Sequence, residues 1–280
     1  MDAVILVNKP SGMTSFDVVR KCRRICNEKK IGHTGTLDPE ASGLMIVLLG
    51  RYTKMLPFCV KDHKSYHATF SLGTKTETED IWGAVIEEKP YGLHSDEELR
   101  SAELKFTGDI LQIPPMYSAL KVNGKKLYEY ARQGIEIERE PRPVHISKIR
   151  VSHIEDNRYS LDAVVSSGTY IRTLITDFCK EIGEAGSMSK LERRAIEHLD
   201  LSKALRLAEL NGEEAGISPF EVIDPAWKII MAKEPEMIRN GRAVRLDEES
   251  DKVIFADDQH LLAAYERRQD QLFHCVRGLF

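Results

Sequence analysis

Apolar and polar positions alternate in ways that predict most of the elements. Val4 to Val7 is an unbroken apolar run, the mark of a short buried strand, and Lys9-Pro10-Ser11-Gly12 after it is a turn cluster. Thr14-Ser15-Phe16-Asp17 has the form of a capping box. Behind it Val18, Val19, Cys22, Ile25 and Cys26 recur at helical spacing, with Arg20, Lys21, Arg23 and Arg24 over the rest of the circumference, so a helix is predicted. Leu44 to Leu49 predicts a buried strand. In residues 65–72, Tyr66, Ala68, Phe70 and Leu72 alternate with His67, Thr69 and Ser71, as in a half-buried strand.

A Thr/Glu-rich loop runs from Gly73 to Asp80, and residues 95–106 read as an acidic surface helix. Asn123-Gly124 is a tight-turn signal, and Lys125 to Gln133 reads as a basic, Tyr-bearing helical stretch stopped by Gly134. Alternation from Ile135 to Arg150, broken by Pro141 and Pro143, predicts an edge strand or loop, and Tyr159 to Val165 another strand. Ile171, Leu174, Ile175, Phe178, Cys179 and Ile182 predict a helix beginning near Thr169. Residues 187–210 read as a helix and a connector. Past Pro225, short strands with turn signals at Asn240-Gly241 and Asp257-Asp258 predict a small β-rich module from about residue 229. Strands mix with helices without a βαβ rhythm, which predicts an α+β fold with a mixed, mainly antiparallel sheet.

The composition fits that picture. The chain has 280 residues, 42% hydrophobic and 30% charged, with 18 glycines and 11 prolines, the mix of a soluble globular protein with a sizeable core. The longest apolar run, Leu44 to Leu49, is far short of a membrane span, and the first ten residues lack a signal peptide's basic region and cleavage site. Five scattered cysteines and no Asn-x-Ser/Thr site fit a reducing compartment, so the expectation is a cytoplasmic protein with no membrane partner.

Charge changes the picture more. Forty basic against 44 acidic residues argues at first against a polyanionic partner. Residues 1–64, however, hold eleven basic and six acidic residues, residues 77–109 three and ten, and residues 121–150 eight and four. Two positive zones on a weakly acidic chain suit one localised polyanion groove as well as an unevenly charged surface.

Common cofactor signatures are absent: there is no G-x-G-x-x-G after a strand, no Walker A loop and no H-E-x-x-H. Cys22 and Cys26 lie one helical turn apart without a second pair of ligands, and His63 and His67 do not converge on a strand, so no metal is expected. The run Ile31 to Gly43 crowds glycines and small hydroxyl residues around Asp38, with Pro39 biasing Asp38 toward a projecting, extended conformation. Alone it reads as an Asp-Pro turn or as a carboxylate at a loop tip. Arg172, in the first turn of a helix whose dipole prefers an anion, points either to a carboxylate or phosphate partner or to a side chain in water.

Three segments together resemble the bacterial TruB family of tRNA pseudouridine synthases: Gly32-His33-Thr34-Gly35-Thr36-Leu37-Asp38-Pro39, Met116 to Lys121 with Tyr128 to Gly134, and Gly168-Thr169-Tyr170-Ile171-Arg172-Thr173. The likeness covers about residues 3–210 in order. It implies isomerisation of the T-loop uridine of tRNA to pseudouridine without cofactor or metal, with Asp38 as nucleophile. Arg172 matches the arginine that pairs with that aspartate, and Tyr66 the tyrosine that stacks on the flipped base. Tyr170 would line the pocket with Leu191, Asp80 would contact the uracil edge, and His33 would help open the T-loop. Lys9 and Lys54 would meet phosphates. Segment 121–143, with Lys121, Lys125, Lys126 and Arg132, corresponds to an insertion that grips the T-arm.

The resemblance further implies a catalytic domain over residues 1–228 and a shortened PUA-like RNA-binding module over 229–280, best matched at Gln271 to Phe280. The partner would be the tRNA T-arm stem-loop, bound by a monomer with no obligatory protein partner. A tRNA-folding protein that needs no catalysis and a guide-RNA-dependent relative are the alternatives. The chain departs from the family at Leu44-Met45-Ile46, where Leu-Pro is common, at Ser167, where lysine is common, and at Arg194 and Glu197, which replace Thr and Gly.

Overall fold

The computed structural model describes residues 1–213 and 216–279. They form two units: residues 62–197, continuous in sequence, and a unit assembled from residues 1–61 together with those from 198 onward. Among the described residues no helix is long and apolar enough to cross a membrane.

In the discontinuous unit, β1 (Ala3–Lys9) is buried on both faces, which explains its lack of alternation. The helix α1 (Ser15–Ile25) opens on the expected capping box, with the Thr14 side chain accepting from Asp17 N at 3.1 Å and the Asp17 carboxylate accepting from Thr14 N at 3.0 Å. The Thr14 hydroxyl, donating to the same carboxylate at 2.6 Å, and Thr14 N hold the Asp17 carboxyl down at about 2. Val18, Val19 and Cys22 form its buried stripe. β2 (Ile31–Thr34) and β3 (Ser42–Leu49) pair antiparallel, and β3 pairs antiparallel with β1 from Ala3↔Leu49 to Lys9↔Gly43.

The continuous unit contains β4 (His63–Leu72), β5 (Thr74–Thr76), β6 (Val85–Glu88), α2 (Asp96–Phe106), β7 (Gly108–Gln112), β8 (Lys121–Val122), β9 (Lys125–Lys126), α3 (Leu127–Ala131), β10 (Arg142–Glu155), β11 (Arg158–Ser166), α4 (Ile171–Glu181) and β12 (Gly186–Ile196). Its sheet runs β12-β4-β11-β10-β7, antiparallel throughout. β4 alternates in burial along nearly its whole length, as its sequence predicts. The Phe178 ring of α4 lies 6.4 Å from Phe70 and 5.9 Å from Phe106 of α2, while Phe70 stacks on Tyr159 at 5.6 Å. Phe178→Ala is expected to cost about 3–5 kcal/mol, read as a lower urea midpoint. An unchanged midpoint would show that this aromatic cluster contributes little to stability.

Residues 187–210 contain no α-helix, only a 3-10 turn at Leu201–Lys203. Residues 187–196 lie in the strand β12, and β13 (Leu199–Asp200) and β14 (Leu205–Arg206) follow. Bulges between Met188 and Lys190 and between Arg193 and Ala195 shift the β4–β12 register. They break the period of two: across each bulge the buried positions are three apart, 188 to 191 and 193 to 196, a spacing that resembles a helix. Glu197 adopts φ +51°, a left-handed backbone that favours glycine. Its carboxylate accepts from His63 N at 2.7 Å, a local compensation for that strain. The helix expected over Lys125 to Gln133 is also shorter: Lys125 and Lys126 pair with β8 across the Asn123-Gly124 turn, and only Leu127–Ala131 are helical.

Back in the discontinuous unit, β14 runs parallel to β1, with Val7↔Leu205 in register. Gly216 passes close over β1 at φ +72°, where an added Cβ would meet Val4 O at 2.3 Å. Ile217 N donates to Val4 O and Val60 N to Val222 O, both at 2.8 Å. The expected β-rich end follows: β15 (Lys228–Met231), α5 (Pro235–Arg239), β16 (Val244–Arg245), β17 (Lys252–Ala256), β18 (Leu261–Gln269) and β19 (Leu272–Gly278), in the order β15-β17-β18-β19-β16. Val253, Phe255, Leu262, Tyr265 and Phe273 build its core. The buried Tyr265 hydroxyl donates to Arg242 O at 3.0 Å and Ile238 O at 3.2 Å, and burial pushes its pKa up to about 12. Phe280, at the end of the segment matched to a PUA module, lies outside the described residues. All strand pairs named are antiparallel except β1–β14 and β15–β17, so the α+β, mainly antiparallel class holds.

Candidate active site

Asp38 sits half-buried in the loop between β2 and β3. The loop is held through its backbone. The Ser15 hydroxyl, at the start of α1, accepts from Leu37 N at 2.9 Å and donates to Leu37 O at 3.2 Å. Ala41 N donates to Asp38 O, and Gly12 N to Pro39 O, both at 3.1 Å. The Lys9 ammonium donates to Pro39 O at 2.8 Å and Pro10 O at 2.9 Å. Lys9 is fully buried, so the expectation that it meets a phosphate gives way to an internal role: its charge is met by carbonyls beside Asp38. His33 lies on β2 opposite Val47, and Lys54 in the 3-10 turn Gly50–Phe58.

In the continuous unit, Tyr66 on β4 is buried between Ala163 of β11 and Arg193 of β12, and Leu191 of β12 lies opposite Ala68. Directly opposed residues share a face, so Tyr66 and Leu191 belong to one side of the sheet. Tyr170 caps α4 by its backbone: its N–H donates to Gln112 Oε1 at 2.8 Å and its carbonyl accepts from Gln112 Nε2 at 3.1 Å.

Arg172, one residue into α4, is buried. Its Nη1 donates to Thr78 O at 2.8 Å and its Nη2 to Tyr117 O at 2.9 Å, while Nε stands 4.0 Å from Asp80 Oδ2. Asp80 Oδ1 accepts from the Thr78 hydroxyl at 2.6 Å and from Trp82 N at 3.2 Å. Glu79, at φ +65°, accepts from the Thr173 hydroxyl at 2.6 Å, and burial pushes its carboxyl pKa up. Consecutive residues of α4 thus hold consecutive residues of the 76–83 loop. The structure thereby links Asp80, Tyr170 and Arg172 around the start of α4.

Lys121, Lys125, Lys126 and Arg132 form a separate cluster. Lys125 lies 5.9 Å from the Tyr130 ring, and Lys126 and Arg132 lie 5.4 and 5.2 Å from Tyr128. Cations over aromatic rings suit a surface that meets both phosphates and bases. Sequence reading overlooked Ser15, Gln112, Glu79 and Thr173, which position the candidate residues. Gln112 had a signal: a polar residue inside Ile110-Leu111-Gln112-Ile113 that is nonetheless buried.

Chemically, the chain presents a carboxylate on a rigid loop, a buried tyrosine on a sheet face and an arginine whose fork is set by two carbonyls. Such groups suit a reaction that develops charge on a bound ring. Comparison with known proteins identifies the family. Residues 23–171 match the family model described as TruB family pseudouridylate synthase (N terminal domain). The chain is 41% identical over 281 residues to tRNA pseudouridine synthase B of Streptococcus pneumoniae serotype 4, covering 96% of each chain. It is 45% identical over 214 residues to tRNA pseudouridine synthase B of Alkaliphilus oremlandii, covering 76% of this chain and 71% of that one. In fold it is similar to a crystal structure of a Cbf5-Nop10-Gar1 complex, with a TM-score of 0.71 at 23% identity over 99% of this chain and 84% of that chain. With most of its length aligned to these relatives, the chain belongs to the TruB family of pseudouridylate synthases.

Proposed function

We propose that this chain isomerises the T-loop uridine of tRNA to pseudouridine without a cofactor. The observation that carries this reading is the 41% identity along 96% of both chains to a tRNA pseudouridine synthase B. The N1–C1′ glycosidic bond breaks, the uracil turns, and C5 bonds to C1′. C5 then gives up its proton and N1 gains one, so the reaction balances without a co-reactant. Asp38 supplies the carboxylate that attacks the substrate, Tyr66 the π-surface for the flipped base, and Arg172 a fixed cation. Asp80, Tyr170, Leu191 and His33 bind and open the loop. The positive hairpin around Lys125 and Lys126 grips the T-arm, Lys54 meets a phosphate, and residues 229–280 act as an RNA-binding module beside a catalytic domain over 1–228.

The test uses the purified full chain and a T-arm stem-loop carrying tritium at C5 of its uridines. The expected result is one tritium released at the target uridine per stem-loop, with no added protein or guide RNA. Intact substrate after prolonged incubation with excess protein would overturn the reading.

A further inference from the structure

Trp82 is 49% exposed and Ile81 beside it 48% exposed, on the turn that carries Asp80. An indole left in water forfeits a large apolar burial and offers a wide π-face. The turn keeps it in place: the Thr76 hydroxyl donates to Asp80 O at 2.5 Å, Ile81 N to Met188 O at 2.9 Å, and Trp82 N to Asp80 Oδ1 at 3.2 Å. Arg172 and Thr173 anchor the preceding residues, Thr78 and Glu79. A ligand meeting this turn therefore orders little protein backbone.

The surroundings select the ligand. Glu77 and Asp80 precede the indole and Glu87 and Glu88 follow it, so a sugar-phosphate strand laid along the turn is repelled. The face of a nucleobase carries no net charge and stacks on an indole. We infer that Trp82 is a stacking platform for an unpaired nucleobase of the substrate RNA, next to the uridine that is isomerised. This rests on the assignment of Asp80 to that uridine.

The chain has two tryptophans, and Trp227 packs edge-on against Phe58 at 4.7 Å, a contact that phenylalanine can keep. In the full-length Trp227→Phe variant, Trp82 is the sole indole. A T-arm stem-loop is expected to quench its emission and shield it from iodide. In steady-state tritium release, Trp82→Ala is expected to raise KM roughly 10-fold or more with kcat within about twofold, and Trp82→Phe to restore most of the affinity. Among stem-loops each carrying one abasic T-loop position, one is expected to bind the native chain weakly yet lose nothing further in Trp82→Ala.

An indole unquenched at saturating RNA, or an unchanged KM in Trp82→Ala, overturns the inference. So does self-association in sedimentation that Trp82→Ala abolishes while RNA affinity stays the same, because the indole then covers protein. Quenching without tritium release supports the platform and instead sinks the enzymatic assignment.

Discussion

Asp38→Asn is expected to lower single-turnover release of C5 tritium by at least about 10⁴-fold while changing RNA affinity only a few-fold. The substitution keeps the shape of the side chain and removes its charge, and a neutral amide is a poor nucleophile. Several contacts that shape the loop are made to backbone and survive the substitution: Leu37 to Ser15, Pro39 to Lys9 and Gly12, and the Asp38 carbonyl to Ala41. The urea midpoint of the variant, measured beside its activity, separates a chemical defect from a structural one. If it also retains the ability to refold a denatured tRNA, the chain carries a folding role alongside catalysis. Native-like tritium release from Asp38→Asn would remove Asp38 from the reaction.

Arg172→Lys, which preserves the charge, should nevertheless lose about 10²- to 10³-fold in kcat. The guanidinium spans two carbonyls, Thr78 O and Tyr117 O, with separate N–H groups, while its Nε faces Asp80. An ammonium is a single point at the end of a longer flexible stem and cannot hold both carbonyls in that geometry. The lost anchor should also appear as faster amide exchange across residues 76–83, at positions the substitution does not touch. Native kcat in Arg172→Lys would mean that charge alone suffices and that the fork geometry is incidental.

These two residues also mark what could be read before folding. Asp38 and Arg172 stand in contiguous motifs, and local elements such as the Thr14 capping box or the alternation of β4 follow from neighbours in sequence, so their signals are short-range. Glu79 and Thr173 are 94 positions apart, and Gln112 and Tyr170 are 58 apart. No local pattern encodes such pairings, because each is satisfied only once the sheet has brought α4 against the loops. β12 departs from the helix that its sequence predicts for a related reason. Its two bulges and its buried Arg193 erase the alternation that betrays a strand, and its identity comes from pairing with β4. Lys9 shows the converse: lysine is ordinarily a surface residue, and partners that the fold supplies, the carbonyls of Pro10 and Pro39 among them, make its burial possible.

The discontinuity of the first unit sets an order on synthesis. Residues 62–197 can pair β12, β4, β11, β10 and β7 as soon as they leave the ribosome, because those five strands all lie within that stretch. β1, near the start of this sequence, is completed late: it waits for Leu205 and Ile217, and Val60 waits for Val222. For about 160 residues of translation the apolar segments β1 and β3 therefore have no finished unit to join. The nascent chain carries the Asp38 loop without its finished unit until Val222 has been added, a window in which a bound chaperone or an early stop codon would decide its fate.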